Sequence, residues 1–256
     1  MSVQLADKVG TEKIINNAKR MGITTLVDKG SPNDNNLAMA LGGLTRGVTP
    51  LEMASAYGTF ANKGVHVKPT AIIKILDRNG NVIEDNSNNK ADSPRFMSER
   101  EAYEMTSMLE GVIDHGTGTA AAIGQPAAGK TGTTDDNKDA WFVGYTPTIV
   151  TAVWIGDDTG SHSLGEVYGG TIPARIWHDY MVSAVDGEST KDFSVPEGMA
   201  RQARQTVSEQ KTTTTTKTQK ETPNKTETKT ADTDKTDTSD TQRSKSQQAD
   251  KNNKAQ

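Results

Sequence analysis

The sequence predicts an α+β fold in which helices pack on an antiparallel sheet, and three observations predict it. Between Ala127 and Ile155, runs of apolar and β-branched residues are separated by short polar turns, as in strands joined by hairpins. Elsewhere apolar residues recur at helical spacing behind capping-box signals. The two kinds of segment do not alternate strand by helix, so a βαβ arrangement with a parallel sheet is not expected.

Taken in order, the first helix is expected to be capped by Thr11, to carry Ile14, Ile15, Ala18 and Met21 on its apolar face, and to stop at Gly22. Residues 22–48 read as a loop-rich connector, with turn residues from Asp28 to Asn36 and glycines at 42, 43 and 47. Thr49-Pro50-Leu51-Glu52 is a capping box with proline at the first helical position. Its helix should run to about Asn62 with Leu51, Ala54, Tyr57 and Ala61 on one face, before Gly64 stops it. After Val65 to Val67, Ala71–Asp77 and Val82–Glu84 flank Asn79-Gly80, a pair favoured where both turn residues need positive φ. Ser98-Glu99-Arg100-Glu101 is a second capping box, with Ala102, Met105, Leu109 and Val112 as the expected core face. Gly116 to Gly118 breaks that helix. Strands are then expected over Ala127–Thr133, Asp139–Thr146 and Ile149–Ile155, the last so apolar that it should be covered on both faces. A final helix opens at Thr171 and Pro173 and carries Ile176, Trp177, Tyr180, Met181, Ala184 and Val185.

Composition divides the 256 residues. From Arg201 to Gln256 there is no aromatic residue and one branched aliphatic, Val207, so this segment lacks the apolar surface needed to offset the entropy of ordering. Residues 1–198 are therefore expected to fold and 199–256 to form a disordered Thr/Lys-rich tail. Residues 201–256 hold 12 Lys and Arg against 8 Asp and Glu, leaving 17 against 25 in the body. An acidic body argues against a nucleic-acid partner. With no cysteine, disulfides, thiol catalysis and zinc-thiolate sites are excluded. No apolar run approaches the roughly 20 residues of a membrane helix, and the start lacks the layout of a signal peptide. The four histidines show no metal-ligand spacing: His66 should start a strand, His115 should end a helix, His162 should lie in a loop and His178 on the last helix.

The chemistry concentrates in Gly129-Lys130-Thr131-Gly132-Thr133-Thr134. Gly124 to Thr131 also fits the phosphate-binding pattern Gly-x4-Gly-Lys-Thr, but that loop needs a helix starting at its lysine. Here Gly132-Thr133-Thr134-Asp135-Asp136-Asn137 suits a strand passing into a turn. At strand period, Lys130 and Gly132 share one face and Thr131 and Thr133 the other. Gly132 lets a substrate backbone lie close, and an extended peptide can pair along such a strand. The Thr131 and Thr133 hydroxyls would meet a substrate carboxylate, with Lys130 as counter-charge and the Thr133 N–H available to a developing oxyanion. Taken alone, Lys-Thr-Gly also suits a solvated strand with threonines chosen for β-propensity. Trp141 and Tyr145 share a face of the next strand, where packing is the expected role, and Tyr168-Gly169-Gly170 lies before the last helix either as a cleft rim or as a plain lead-in.

With Asp139-Ala-Trp-Phe-Val-Gly-Tyr-Thr146 and Thr151-Ala-Val-Trp-Ile-Gly-Asp157 following it, this segment resembles the third motif of the penicillin-recognising serine transpeptidases. Leu41-Gly-Gly-Leu and the stretch from Val48 to Gly64 are similar to the connector and helix of class A penicillin-binding proteins. The resemblance runs from about Ser2 to about Val185. It implies part of a serine transpeptidase and β-lactamase-like fold, and a D,D-transpeptidase that cross-links peptidoglycan stem peptides ending in D-Ala-D-Ala. It also implies acylation by β-lactams, no cofactor, and a place at the extracytoplasmic face of a bacterial membrane through an anchor outside this sequence. By the same resemblance Lys130 and Thr133 are catalytic, while Thr131, Gly132 and Thr134 bind substrate.

Family members also use Ser-x-x-Lys, which carries the nucleophile, and Ser-x-Asn. Ser87-Asn88-Asn89-Lys90 fits the first in a polar loop, and Ser31-Pro32-Asn33 fits the second after, rather than before, the first helix. Both are expected to be chance matches. The sequence is then expected to begin just after the true Ser-x-Asn and to need the preceding part of the domain as partner. It is also expected to be inactive alone, and to expose a sheet edge and part of its core.

Overall fold

The computed structural model describes residues 1–87, 95–187 and 189–200. The Thr/Lys-rich tail expected from Arg201 onwards, and Asn88 to Lys90 of the first chance motif, lie outside the described residues. The elements are α1 (Ser2–Val9), α2 (Thr11–Arg20), α3 (Pro50–Ala61), β1 (Lys74–Leu76), β2 (Val82–Asp85), α4 (Glu99–Asp114), β3 (Ala128–Thr133), β4 (Asp139–Tyr145), β5 (Val150–Gly156) and α5 (Ile172–Ala184). Short 3-10 turns at Leu37–Leu41, Thr119–Ala121 and Asp135–Asn137 join them.

The fold is α+β, with β3, β4 and β5 in one antiparallel sheet and β4 in the middle. Because side chains alternate along a strand, the sheet has two distinct faces. Phe142 and Gly144 meet α5 on one face, where Trp177 packs edge-on against Phe142 and donates its indole N–H to the Gly144 and Thr151 carbonyls. With Ile113, Ala174 and Met181 these residues make one core. Tyr145 lies on the other face, between Tyr57 of α3 and Phe193, and its hydroxyl bonds Thr106 of α4. Ala128, Leu109 and Phe193 complete that second core.

Both capping boxes form as expected, at Thr49–Glu52 and Ser98–Glu101. Several expectations are corrected. Thr11 is not a cap: Gly10, with φ 91°, separates α1 from α2, and Thr11 bonds Asn35 instead. On α3, Leu51 is exposed and Ala56 and Thr59 are buried, because the helix rests on the sheet one residue-row further round. On α4, Tyr103, Thr106 and Ile113 join Ala102 and Leu109 inside, whereas Val112 is only partly covered. Asn79 does not take positive φ. The β1–β2 turn closes through Gly80 alone, whose N–H bonds the Asp77 carbonyl, because Asp77 also caps Asn79 and Asn81 with its carboxylate. His66 is outside any strand; Val65 bridges Arg95 while the His66 ring bonds the Ser55 hydroxyl. Strand β5 is covered on both faces, by α3 and α5, as expected, but it is an outer strand of intermediate burial throughout, and the buried one is β4. An apolar run alone does not distinguish a central strand from an outer one flanked by α3 and α5.

Candidate active site

Among the described strands β3 forms one border of the sheet, so half of its backbone groups have no strand partner there. The Thr134 N–H donates to the Asp139 carbonyl across the turn. Successive N–H groups of a strand point to opposite sides, so Gly132 turns its N–H to β4 and Thr131 and Thr133 turn theirs to the free border. Side chains alternate perpendicular to this, and the register Lys130↔Val143 and Gly132↔Trp141 puts Lys130 and Gly132 on the Trp141 face. A Cβ on Gly132 would sit 3.1 Å from the Trp141 Cβ, so glycine keeps this face open beside the lysine.

A cleft of about 750 Å³ lies against this face and includes all five residues from Lys130 to Thr134 in its lining. Exposed Lys130 bends to the free border, where its Nζ donates to the Thr131 carbonyl at 3.0 Å and lies 3.4 Å from Thr131 Oγ1. Thr131 Oγ1 is also 2.8 Å from Thr117 Oγ1, and Thr133 Oγ1 accepts the Gly169 N–H at 3.1 Å. Thr134 is turned back: its Oγ1 accepts the Asp139 N–H at 2.8 Å and closes the β3–β4 turn. The structure therefore brings Lys130, Thr131, Gly132 and Thr133 together along the border of one strand. It places Thr134 at the end of that row in a hydrogen bond of its own.

The far wall comes from the connector and α3, through residues such as Ile23, Leu26, Leu44, Arg46, Met53 and Tyr57. Two carboxylates hold it. Glu52 accepts from the N–H and hydroxyl of Thr24, Thr25 and Thr49 at 2.7–3.1 Å, stitching the connector to the start of α3. Burial opposes charge there, but the bonds from Thr49 and Thr24 outweigh it and hold the carboxyl down at about 2. Asp34, 1% exposed, accepts from the Val27 N–H at 2.7 Å and the Thr45 N–H at 2.6 Å. Burial alone would raise its carboxyl; hydrogen bonds from Thr45 and Val27 and the nearby Arg46 charge hold it below the usual carboxylate range.

Trp141 and Trp154 stand side by side in the lining, ring centres 6.1 Å apart, and the Trp154 N–H is anchored on Asp139 at 2.8 Å. Tyr145, on the same face of β4 as Trp141, is wholly core. Lys130 lies within a strand, with no helix at its N–H, so the phosphate-loop pattern has no structural counterpart. Ser31 and Asn33 lie outside the cleft lining, and Ser87 bonds the Asp85 carboxylate in the loop after β2. The lining contains no serine among the described residues. Sequence reasoning missed Asp34, the second role of Glu52, Arg46 and Trp154, and it marked Gly169 only as part of a cleft rim or a lead-in to the last helix. For Glu52 the capping box was a usable sign; an aspartate within an Asn/Ser-rich turn gave none.

The family model for the penicillin-binding protein transpeptidase domain matches residues 1–182. Penicillin-binding protein 1A of Neisseria meningitidis serogroup A is 43% identical over 183 residues, which cover 70% of this chain and 23% of that protein. Penicillin-binding protein 1A of Aquifex aeolicus is 40% identical over 197 residues, 76% of this chain and 25% of that protein. The chain thus spans about a quarter of the length of these curated relatives. Among solved structures, PonA1 from Mycobacterium tuberculosis in complex with penicillin V is similar with a TM-score of 0.62 and 31% identity, over 70% of this chain and 51% of that one. These matches bear out the resemblance to class A penicillin-binding proteins, and the chain belongs to the penicillin-binding protein transpeptidase family.

Proposed function

We propose that these residues form one wall of the active-site cleft of a D,D-transpeptidase, which cross-links peptidoglycan stem peptides ending in D-Ala-D-Ala and is acylated by β-lactams. The observation that carries the reading is the free border of β3, where Lys130 and the Thr131 and Thr133 hydroxyls line a cleft wide enough for a peptide. An extended stem peptide pairs with the outward backbone groups of Thr131 and Thr133. Lys130 and the two hydroxyls hold its terminal carboxylate, the ammonium supplying charge and the hydroxyls direction. The Thr133 N–H is one donor for the oxyanion of the tetrahedral intermediate. Thr134 contributes by fixing the end of the strand.

Acylation also needs a nucleophile, and among the described residues none that lines the cleft is a serine. We therefore assign the serine to no residue of this cleft and expect the chain alone to bind without turning over. That is also the point on which a second reading, a non-enzymatic chain that at most binds wall peptide or polymer, rests. In the first reading, residues 1–198 are the transpeptidase part of a protein that works at the extracytoplasmic face of the membrane.

Incubation with a fluorescent penicillin followed by a denaturing gel should give no stable labelled band; such a band would show that the chain holds its own nucleophile. Diacetyl-L-Lys-D-Ala-D-Ala should bind saturably, and Lys130→Ala should weaken it about tenfold, as expected for one charge-assisted contact. Equal affinity for wild type and Lys130→Ala would remove β3 from the site.

A further inference from the structure

We infer that Gly169 is a positioning residue that aims the Thr133 hydroxyl at the substrate carboxylate. The inference rests on the transpeptidase reading. Gly169 is buried, and its N–H donates to Thr133 Oγ1 at 3.1 Å. A hydroxyl has one proton and two lone pairs. With a lone pair held from the covered side by a backbone donor, the proton of this otherwise exposed group is left for the cleft side. An unrestrained threonine would spend part of its time donating elsewhere.

The approach that makes this bond is possible only without a side chain. A Cβ on Gly169 would lie 2.3 Å from the Trp141 carbonyl oxygen and 2.5 Å from that of Gly132, so the turn is seated directly on the backbones of β3 and β4. Space is the constraint here, since Gly169 is not among the residues with positive φ. Gly170 does the same one step on. A Cβ there would lie 2.2 Å from the carbonyl oxygen of Thr117, the residue whose hydroxyl holds Thr131 Oγ1 at 2.8 Å. The turn is itself rigid: the Thr171 N–H and hydroxyl donate to the Tyr168 carbonyl at 2.9 and 2.7 Å, and the Tyr168 N–H donates to Thr171 Oγ1 at 3.1 Å. α5 starts immediately after it and is fixed to the sheet through Trp177. The turn thus holds the Thr133 hydroxyl from behind, while Thr117, on which Gly170 is seated, meets that of Thr131, and the cleft presents an aimed Thr133 donor beside the Lys130 charge. This should appear as a preference for a free terminal carboxylate over a carboxamide.

The test uses the 256-residue chain with two probes, diacetyl-L-Lys-D-Ala-D-Ala and its C-terminal carboxamide. Thr133→Val should lower the carboxylate preference about tenfold and Thr133→Ser should retain it. Gly169→Ala should match Thr133→Val, and the double variant should lose no more than either single one. An unchanged preference in Gly169→Ala, or losses that add, would overturn the proposal. Because the new methyl group could displace the turn, amide exchange at Gly169 is read separately in the ligand-free chain. It should quicken in Thr133→Val and be restored in Thr133→Ser; unaltered exchange in Thr133→Val would also overturn it. Failure of the wild-type chain to bind either peptide would instead sink the transpeptidase reading and the substrate role with it, while the exchange result would still report on the bond.

Discussion

Glu52 shows how much a single side chain carries in this chain. Its place in a capping box is legible from four consecutive letters, but the box accounts only for its bonds to Thr49. The bonds to Thr24 and Thr25 bring in a segment some 28 positions earlier, which no local pattern encodes. Their effect on stability has a definite sign. The folded carboxyl titrates at about 2 against an ordinary 4.5, so the ionised form is favoured by folding. The stabilisation is complete above about pH 4.5 and is lost as pH falls from there towards 2. For a partly solvated group it is on the order of 2 kcal/mol after screening. Urea denaturation should therefore find Glu52→Gln less stable than wild type at pH 7, with the gap closing through the acid range. A gap of constant size from pH 7 to pH 2.5 would rule this account out.

Among the elements, helices were the most legible because their starts are written in short-range chemistry. Thr49 and Ser98 are both caps, and both are followed three residues on by the glutamate that closes the box. They should differ when removed. Ser98 serves α4 alone, so Ser98→Ala should cost about 1 kcal/mol in chemical denaturation. Thr49 also helps hold the Glu52 carboxylate that ties down the connector, so Thr49→Ala should cost measurably more; equal losses would show that the two boxes act alike. Strand existence was legible too, whereas strand position was not. β5 has the most continuous apolar run, yet it borders the sheet, since α3 and α5 cover it from both sides without a further strand beyond it. The cleft was half legible. Its β3 wall follows from alternation along Lys130 to Thr133. The opposite wall depends on Asp34 and on Glu52 reaching Thr24 and Thr25, and the backing of β3 on the Tyr168–Gly170 turn, contacts that no local pattern encodes.

Across the whole molecule, two kinds of surface stand out. The sheet has unpaired borders at β3 and β5 among the described strands, and α5 turns Ile172, Ile176 and Tyr180 outward while Trp177 and Met181 face the core. Helical period alone had grouped Ile176, Trp177, Tyr180 and Met181 together; the sheet selects which of them is buried. An open border and an apolar ridge favour association between chains, which fits a chain that spans about half of the similar solved structure. The three tryptophans are distributed just as unevenly. Trp141 and Trp154 stand together in the cleft, and Trp177 is sealed on the opposite face of the sheet. The chain therefore carries its own optical gauge. Emission from the partly solvated pair should change as the diacetyl tripeptide fills the cleft, over a constant background from Trp177. Coupling of the two indoles at 6.1 Å should add a near-ultraviolet circular dichroism band that vanishes in Trp141→Phe or Trp154→Phe and persists in neither. Occupancy of the cleft can then be followed in unlabelled protein by light alone.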